Sequence, residues 1–359
     1  MSIINLFLHV KWYKYPLKKC NPMKSIGIIL ISFFLYQCKG PETKTYIFIE
    51  GRTQGTTFHI TYASYDSTHY GKEIDSILNR IDNSLSVYNP SSVVSSLNKN
   101  LYDTVSDLYF LETFRNALDV SEATFGAFDV TVAPLVNAWG FGFKNKIRLD
   151  SLKVDSLLSL VGFKKIEFKD NKIIKKDPRV QMDFNAIAQG YTVDVIVRFF
   201  ESKKVSDYLV EIGGEVRGKG VNKKGLSWRI GIDKPLDAST EETRELQAIV
   251  SLNNKAIATS GSYRKFYEEN GIRYSHTIDP STGYPVRHNL LSVSVLADDA
   301  STADAYATAF MVMGIEKSLD FLKKQNKLEA YFICSKGKDY EIQVTDGFKN
   351  LIEKDEEKK

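Results

Sequence analysis

An α+β fold, with mixed or antiparallel sheets flanked by helices, is what this sequence predicts. Three observations predict it. Short apolar runs bounded by turn residues recur along the chain. Helix-period stretches stand between them. No GxxxxGK(S/T) and no strand–GxGxxG–helix segment marks a parallel nucleotide-binding sheet, which argues against a P-loop or Rossmann enzyme. The 359 residues suffice for one large or two ordinary domains, and 43% hydrophobic with 26% charged residues is ordinary for a globular protein. A net charge of +4, from 48 basic and 44 acidic residues, gives no reason to propose nucleic acid as a partner.

Residues 1–38 read as a leader. Met23-Lys24 offers a second start, and the apolar run Ile26–Tyr36 has the length of a secretory core, too short to span a bilayer comfortably. Leu35-Tyr36-Gln37-Cys38 resembles a bacterial lipobox, although Gln37 is larger than the residue usually found before the Cys. That resemblance implies a lipidated Cys38 as mature N-terminus and a periplasm-facing membrane anchor in the bacterial cell envelope. Residues 1–22 are then either a misassigned start or an unusual extension. Residues 39–45 read as a tether, 46–346 as a single domain and 347–359 as a charged tail, disordered from Lys354. Cys20, Cys38 and Cys334 make no disulfide framework, and Cys334, in an apolar strand, reads as a buried thiol.

In order, Tyr46–Glu50 and Thr57–Tyr62 read as strands joined through residues 51–55. Lys72–Ser84 reads as a helix with Ile74, Ile77, Leu78 and Ile81 on one face. A short helix through Val93, Val94 and Leu97 follows, then a longer one from Leu108 to Ala123. Trp139–Gly142 is a loop too aromatic for a linker. Residues 165–169 and 172–175 pair through Asp170-Asn171. Met182–Tyr191 runs from a strand end into a helix reaching Phe200. Tyr208–Val216 is a strand broken by Gly213-Gly214, and Trp228–Asp233 and Ala248–Leu252 are further strands. Ala258–Tyr263 reads as a turn of small residues, and Tyr274–Ile278 as a strand entering the turn Asp279–Gly283. Leu290–Leu296, Glu329–Cys334 and Tyr340–Val344 are strands, with helices over Ala297–Gly314 and Ile315–Lys324. Two halves could meet near residue 205, with no linker between them.

Within the Ala297–Gly314 helix, Asp304 and Thr308 stand one turn apart on one face. Two readings of this pair stand. A carboxylate over a hydroxyl supplies two oxygen ligands of the kind Mg²⁺ takes. Alternatively, Ser301 with Asp304 spells a capping box, and Thr308 bonds back to a carbonyl one turn earlier. The turns Thr53–Thr57, Gly213–Glu215 and Ser260–Tyr263 could each bring backbone amides to a phosphate, or be ordinary tight turns. His276, one of five His, is a candidate base or a structural residue beside the Asp279 turn. No CxxC or HExxH indicates zinc.

Taken together, these stretches resemble the ApbE family of FAD:protein FMN transferases. The motifs are Gln54-Gly55-Thr56-Thr57, Ser86-Val87-Tyr88, Phe128–Pro134, Ala186–Tyr191 with Asp194, Gly213-Gly214, Thr259–Tyr263, His276–Gly283 and Ala303–Ala309, in the family's order. The resemblance implies an ApbE-like (T-fold-like) architecture in two tightly packed halves with FAD between them. It implies Mg²⁺-dependent transfer of FMN from FAD to a Ser or Thr hydroxyl of a partner flavoprotein, with release of AMP. Asp304, Thr308 and the Ala186 carbonyl would hold Mg²⁺, and His276 would take the hydroxyl proton, so His276 and Asp304 are the expected catalytic pair. FAD contacts would come from Gln54, Gly55, Thr56, Tyr88, Gln189, Gly190, Gly214, Glu215, Ser260, Gly261, His276 and Asp279. Three positions depart from the family's commonest pattern: Gln54 replaces Met, Gln189 replaces Lys and Glu215 replaces Asn. The rival readings are an FAD pyrophosphatase and a flavin-storing lipoprotein.

Overall fold

The computed structural model describes residues 44–353, apart from 143–146, 148, 237–242, 244, 263–265, 270–271 and 338. The leader, Cys38, Tyr263 and the tail from residue 354 lie outside the described residues.

Strands β1 (Thr45–Thr53) and β2 (Thr56–Ser64) form the opening hairpin, with Thr53 opposite Thr56. Gln54 and Gly55 form its two-residue turn, both at positive φ (48° and 76°). This is the mirror-image turn that matches strand twist, and it rarely takes a residue as large as Gln at its first position. Helix α1 (Gly71–Leu85) buries Ile74, Ile77, Leu78 and Ile81, the face its periodicity predicts. α2 (Val93–Asn98) is capped by Ser92, and α3 (Leu108–Ala123) by Asp107, within the expected bounds. A 3₁₀ turn at Val130–Val132 leads into α4 (Ala133–Ala138), and Asp150 caps α5 (Ser151–Leu158). Sequence reasoning missed both α4 and α5. β3 (Ile166–Lys169) and β4 (Lys172–Lys175) form the expected hairpin, with Asp170 and Asn171 at φ 51° and 60°.

Helix α6 (Ala188–Ser202) follows, then β5 (Tyr208–Ile212) and β6 (Glu215–Lys219), hinged at the Gly213-Gly214 turn. β7 (Trp228–Asp233) pairs with β8 (Leu246–Leu252). β9 (Lys255–Gly261) corrects one expectation: most of the segment read as a turn of small residues is a strand. β10 (Phe266–Glu269) pairs with β11 (Ile272–Ser275), so the strand expected over 274–278 ends at Ser275. β12 (Leu290–Ala297) precedes α7 (Ala300–Leu322), which Gly314 (φ 73°) interrupts at the position the sequence marks. β13 (Glu329–Lys336), β14 (Asp339–Val344) and the short α8 (Asp346–Lys349) complete the described chain.

Eight strands make one sheet in the order β1-β2-β5-β6-β9-β12-β13-β14, and each neighbouring pair is antiparallel. The sheet runs without a break across the two halves of the sequence. Both faces of its central strands are covered. Ala258, Val293, Val295 and Phe332 pack with Ala303, Ala307 and Phe310 of α7. Their neighbours Ile257, Leu296 and Ile333 pack with Trp228, Val250 and Leu252 of the β7–β8 hairpin. Burial on both sides explains why these strands read as apolar or small-residue runs rather than as a clean alternation. Ala303 and Ala307 are small enough to let the α7 backbone lie close over the sheet, while Phe310 fills the space beyond them.

Candidate active site

The end of the sheet that holds the β1–β2 and β5–β6 turns also holds the start of α6. Gly213 N donates to Thr57 O (3.1 Å), so the two turns dock on each other. Gly213 is at φ 66°, and a Cβ there would stand 2.9 Å from Thr56 Cγ2 and 3.0 Å from Gln189 Nε2. Only glycine fits so close an approach at that φ. Gln54 reaches across to α6, its Nε2 donating to Thr192 Oγ1 (2.7 Å), while its Oε1 is buried without a partner. Gln54, Thr56, Gln189 and Gly213 therefore lie together, as the motifs imply.

Helices α6 and α7 cross at their backbones. A Cβ on Gly190 would lie 2.3 Å from the Ala300 carbonyl oxygen and 2.8 Å from Asp304 Cβ. The first amides of a helix have no acceptor inside it. Here each helix supplies the other. Asp194 of α6 accepts from Ala300 N (3.0 Å) and Ser301 N (2.8 Å) at the start of α7. Asp304 of α7 accepts from Gly190 N (3.1 Å) at the start of α6. Asp299 is the N-cap of α7, accepting from Thr302 N (2.8 Å). The Ser301–Asp304 capping box is thereby overturned: the helix begins at Ala300, and Asp304 caps the neighbouring helix.

The two carboxylates differ in charge balance. Arg217 Nη1 of β6 donates to Asp194 Oδ1 (2.9 Å). Burial pushes the Asp194 carboxyl up to about 6, with Asp299 adding repulsion while Ala300, Ser301 and Arg217 pull it down. Asp304 is 8% exposed. No basic side chain among the described residues forms an ion pair with it. Burial and the Asp194 charge push it to about 7, against the single Gly190 amide. Thr308, one turn along α7, is half-buried, as is Ala186 just before α6. A buried carboxylate lacking a counter-charge, with a hydroxyl one turn away, is a donor set that suits a hard cation. Among the described residues there is no group of three or more His, Cys, Asp or Glu side chains that could hold a metal. Asp304, Thr308 and the Ala186 carbonyl include one such side chain, and their all-oxygen donors are the kind that suits magnesium better than zinc.

The remaining expected residues fall in separate groups. Tyr88, 60% exposed, hydrogen-bonds with Asn185, which ties it to the loop carrying Ala186. Gly214 N donates to Glu211 Oε1 (2.8 Å), and Glu215 is buried opposite Ile212. Ser260 and Gly261 lie on β9, opposite Val293 and Ser292, with Thr259 Oγ1 2.7 Å from Ser294 Oγ. His276 and Asp279 belong to a loop seated on Trp139 and Phe141. The His276 and Phe141 rings stand 6.4 Å apart, and Trp139 Nε1 donates to Gly283 O (2.9 Å). Asp279 Oδ1 accepts from Ser281 N (2.8 Å) and Ser281 Oγ (2.7 Å), which makes the turn rigid. Sequence reasoning gave Asp194 no role and missed Arg217. The spacing of Asp194, four residues after Gly190, puts it on the crossing face and was the available signal.

A profile of the ApbE family matches residues 54–332. The chain belongs to the ApbE family. The FAD:protein FMN transferase of Haemophilus influenzae is 36% identical, over 91% of this chain and 97% of its own length. That of Vibrio cholerae is 35% identical, over 92% of this chain and all of its own. The solved flavin transferase ApbE from Vibrio cholerae superposes with a TM-score of 0.77 at 33% identity, covering 86% of this chain and 100% of that one. The flavinyl transferase ApbE of Pseudomonas stutzeri, in apo form, gives 0.76 at 31%, covering 86% and 97%. The α+β expectation thus holds at the level of the ApbE fold.

Proposed function

We propose that this chain transfers FMN from FAD to a Ser or Thr hydroxyl of a partner flavoprotein, with Mg²⁺ bound at Asp304. The observation that supports it most is the Asp304 carboxylate, buried, bonded to one amide and to no basic side chain among the described residues, beside two docked turns in an ApbE-family chain. Asp304, Thr308 and the Ala186 carbonyl would hold the ion. When bound, Mg²⁺ supplies neutralisation of the pyrophosphate charge, the chief demand of phosphoryl transfer.

The protein's own residues do the rest. The orphaned Gln54 Oε1 offers an acceptor to a donor on FAD, and burying it without one costs about 1–3 kcal/mol. Gln189 can hydrogen-bond a phosphate without neutralising it. The docked turns at Gly55–Thr56 and Gly214–Glu215, with Ser260 and Gly261, would cradle FAD, and Tyr88 would present its ring. Asp279 would meet a polar group of the nucleotide. His276 would take the hydroxyl proton as a neutral imidazole. The acceptor oxygen then bonds to the FMN phosphorus, the P–O bond to AMP breaks, and AMP departs with the electron pair. Residues 46–346 would form this single domain. Cys38 would carry the acyl chains that hold it on the periplasmic side of the envelope.

The test is incubation with FAD, Mg²⁺ and a candidate acceptor, followed by intact-mass analysis. An acceptor heavier by one FMN residue supports transfer. AMP and free FMN with no mass gain would replace it with pyrophosphate hydrolysis. In the same assay His276→Ala should cut transfer by about 10²–10⁴ while leaving FAD binding largely intact. Equal losses in both would make His276 an FAD contact.

A further inference from the structure

The active-site end of the sheet has an opposite end, and its surface is basic. The β1–β2 hairpin starts there at Lys44 and Ser64, and β1 carries nine residues from Thr45 to its turn. At about 3.3 Å per residue that separates the two ends by roughly 30 Å. α6 runs from the site to this end, where Lys203 and Lys204 follow its last turn. β6 ends there at Lys219, and the next turn carries Lys223 and Lys224. Tyr46 Oη donates to Val221 O (2.8 Å), and Ala63 N donates to Asp207 O (2.8 Å), which bind these turns to the hairpin base.

Two of the acids at this end are already matched: Asp207 by Lys44 (2.5 Å) and Glu201 by Lys219 (3.0 Å). Lys203, Lys204, Lys223 and Lys224 have no ion pair among the described residues. Asp66 and the start of α1, with Lys72, Glu73 and Asp75, offset part of this charge and leave the end net positive. Tyr65, 56% exposed, stands 5.6 Å from the Lys44 ammonium, an amphipathic ring of the kind found at headgroup level.

We infer that this basic end docks on an anionic bilayer surface and holds the active site away from the membrane. The inference rests on the reading of Cys38 as acylated. Lys44 lies six positions, and therefore six Cα–Cα steps, after Cys38. Those steps can span at most about 20 Å, so an acylated chain keeps this end, and not the turns at Gly55 and Gly213, against the headgroups. Lysines within a Debye length of anionic lipid are attracted to it, which supplies a second attachment besides the acyl chains.

The test uses the full chain, processed by its host and reconstituted into vesicles of phosphatidylcholine with or without phosphatidylglycerol. Lys223→Cys carries a nitroxide, and Cys334, 2% exposed, stays unlabelled. The readout is line broadening by a nickel-chelating headgroup lipid. Broadening should be several-fold larger in anionic vesicles. It should fall to the zwitterionic level in about 1 M salt, and likewise when Lys203, Lys204 and Lys224 are all changed to Glu. Broadening independent of lipid, or insensitive to salt and to the triple change, overturns the inference while leaving the anchor intact. The anchor is read separately, from the mass of the mature N-terminus and from flotation with zwitterionic vesicles. An unacylated chain that fails to float removes the anchor and this orientation together.

Discussion

Asp194 and Asp304 occupy mirror-like positions: each lies on one of two crossing helices and caps the start of the other. Yet they are different kinds of group. Asp194 accepts from two amides and from Arg217, so its charge is matched inside the protein. Asp304 accepts from one amide and has no basic partner among the described residues, so its burial has a cost that none of them offsets with a counter-charge. A fold that needed Asp304 only as a cap could have used Asn or Ser, which cap as well without a charge. The contrast is what supports reading Asp194 as structural and Asp304 as the proposed ligand of an external cation, although burial and capping alone look alike.

Asp304→Asn should break the comparison most sharply. It keeps the shape and a carbonyl oxygen for the Gly190 amide but removes the charge. Transfer should fall by about 10² or more, the scale of losing a group that stabilises developing charge. The rise in Tm with Mg²⁺, expected at about 2.7 kcal/mol of stabilisation at a hundredfold excess over Kd, should vanish. The Tm without metal should hold or rise. Full activity with unchanged Mg²⁺ dependence would sink the metal site.

Asp194→Asn should give the opposite pattern. Arg217 is 18% exposed at its side chain, and its Nε already lacks a partner. Removing its counter-charge should cost about 3–5 kcal/mol. Urea unfolding would show this, while the folded fraction keeps its Mg²⁺-induced stabilisation. A stability change under 1 kcal/mol would mean that Arg217 finds water or another acceptor. Gly190→Ala should act on both carboxylates at once, because the new methyl meets Ala300 O and Asp304 Cβ and must push the helices apart. A loss of about 1–3 kcal/mol is expected, the range for overpacking. A wild-type Tm would show that the crossing can yield.

How much of this was legible in the sequence follows from the distance over which each signal acts. Local signals read well. Ile74, Ile77, Leu78 and Ile81 placed α1, Asp170-Asn171 placed a hairpin turn, and Gly314 marked the break in α7. β9 was misread because Ala258-Thr259-Ser260-Gly261 looks like a turn by composition. Its residues are small because α7 lies against it, which is a tertiary demand. The reciprocal caps join residues more than 100 positions apart, and the local Ser301–Asp304 spacing suggested a cap that the helix start at Ala300 excludes. The ApbE motifs named the residues proposed for the site, whereas the charge balance of Asp194 against Asp304 needed Arg217 on β6.

A single titration also separates the two carboxylates. Both have folded-state pKa values raised above the unfolded range near 4. Below pH 4 each is protonated in both states and burial carries no charge penalty. As pH rises toward 7, the unfolded chain releases these protons first. The stability is therefore lost between about pH 4 and 6 for Asp194 and between about pH 4 and 7 for Asp304, at up to about 1.4 kcal/mol per pH unit for each group, and does not return above. Mg²⁺ should reverse the loss at Asp304 alone, because it binds the ionised form and competes with the proton. The gap in Tm with and without Mg²⁺ should thus be small at pH 5.5 and grow steadily to pH 8. In Asp304→Asn the gap should stay near zero throughout. In Arg217→Gln, which leaves Asp304 in place, the slope should persist even though the protein is less stable. A gap that is flat with pH in the wild type would place the cation on groups that do not titrate, and would leave Asp304 as no more than the cap of α6.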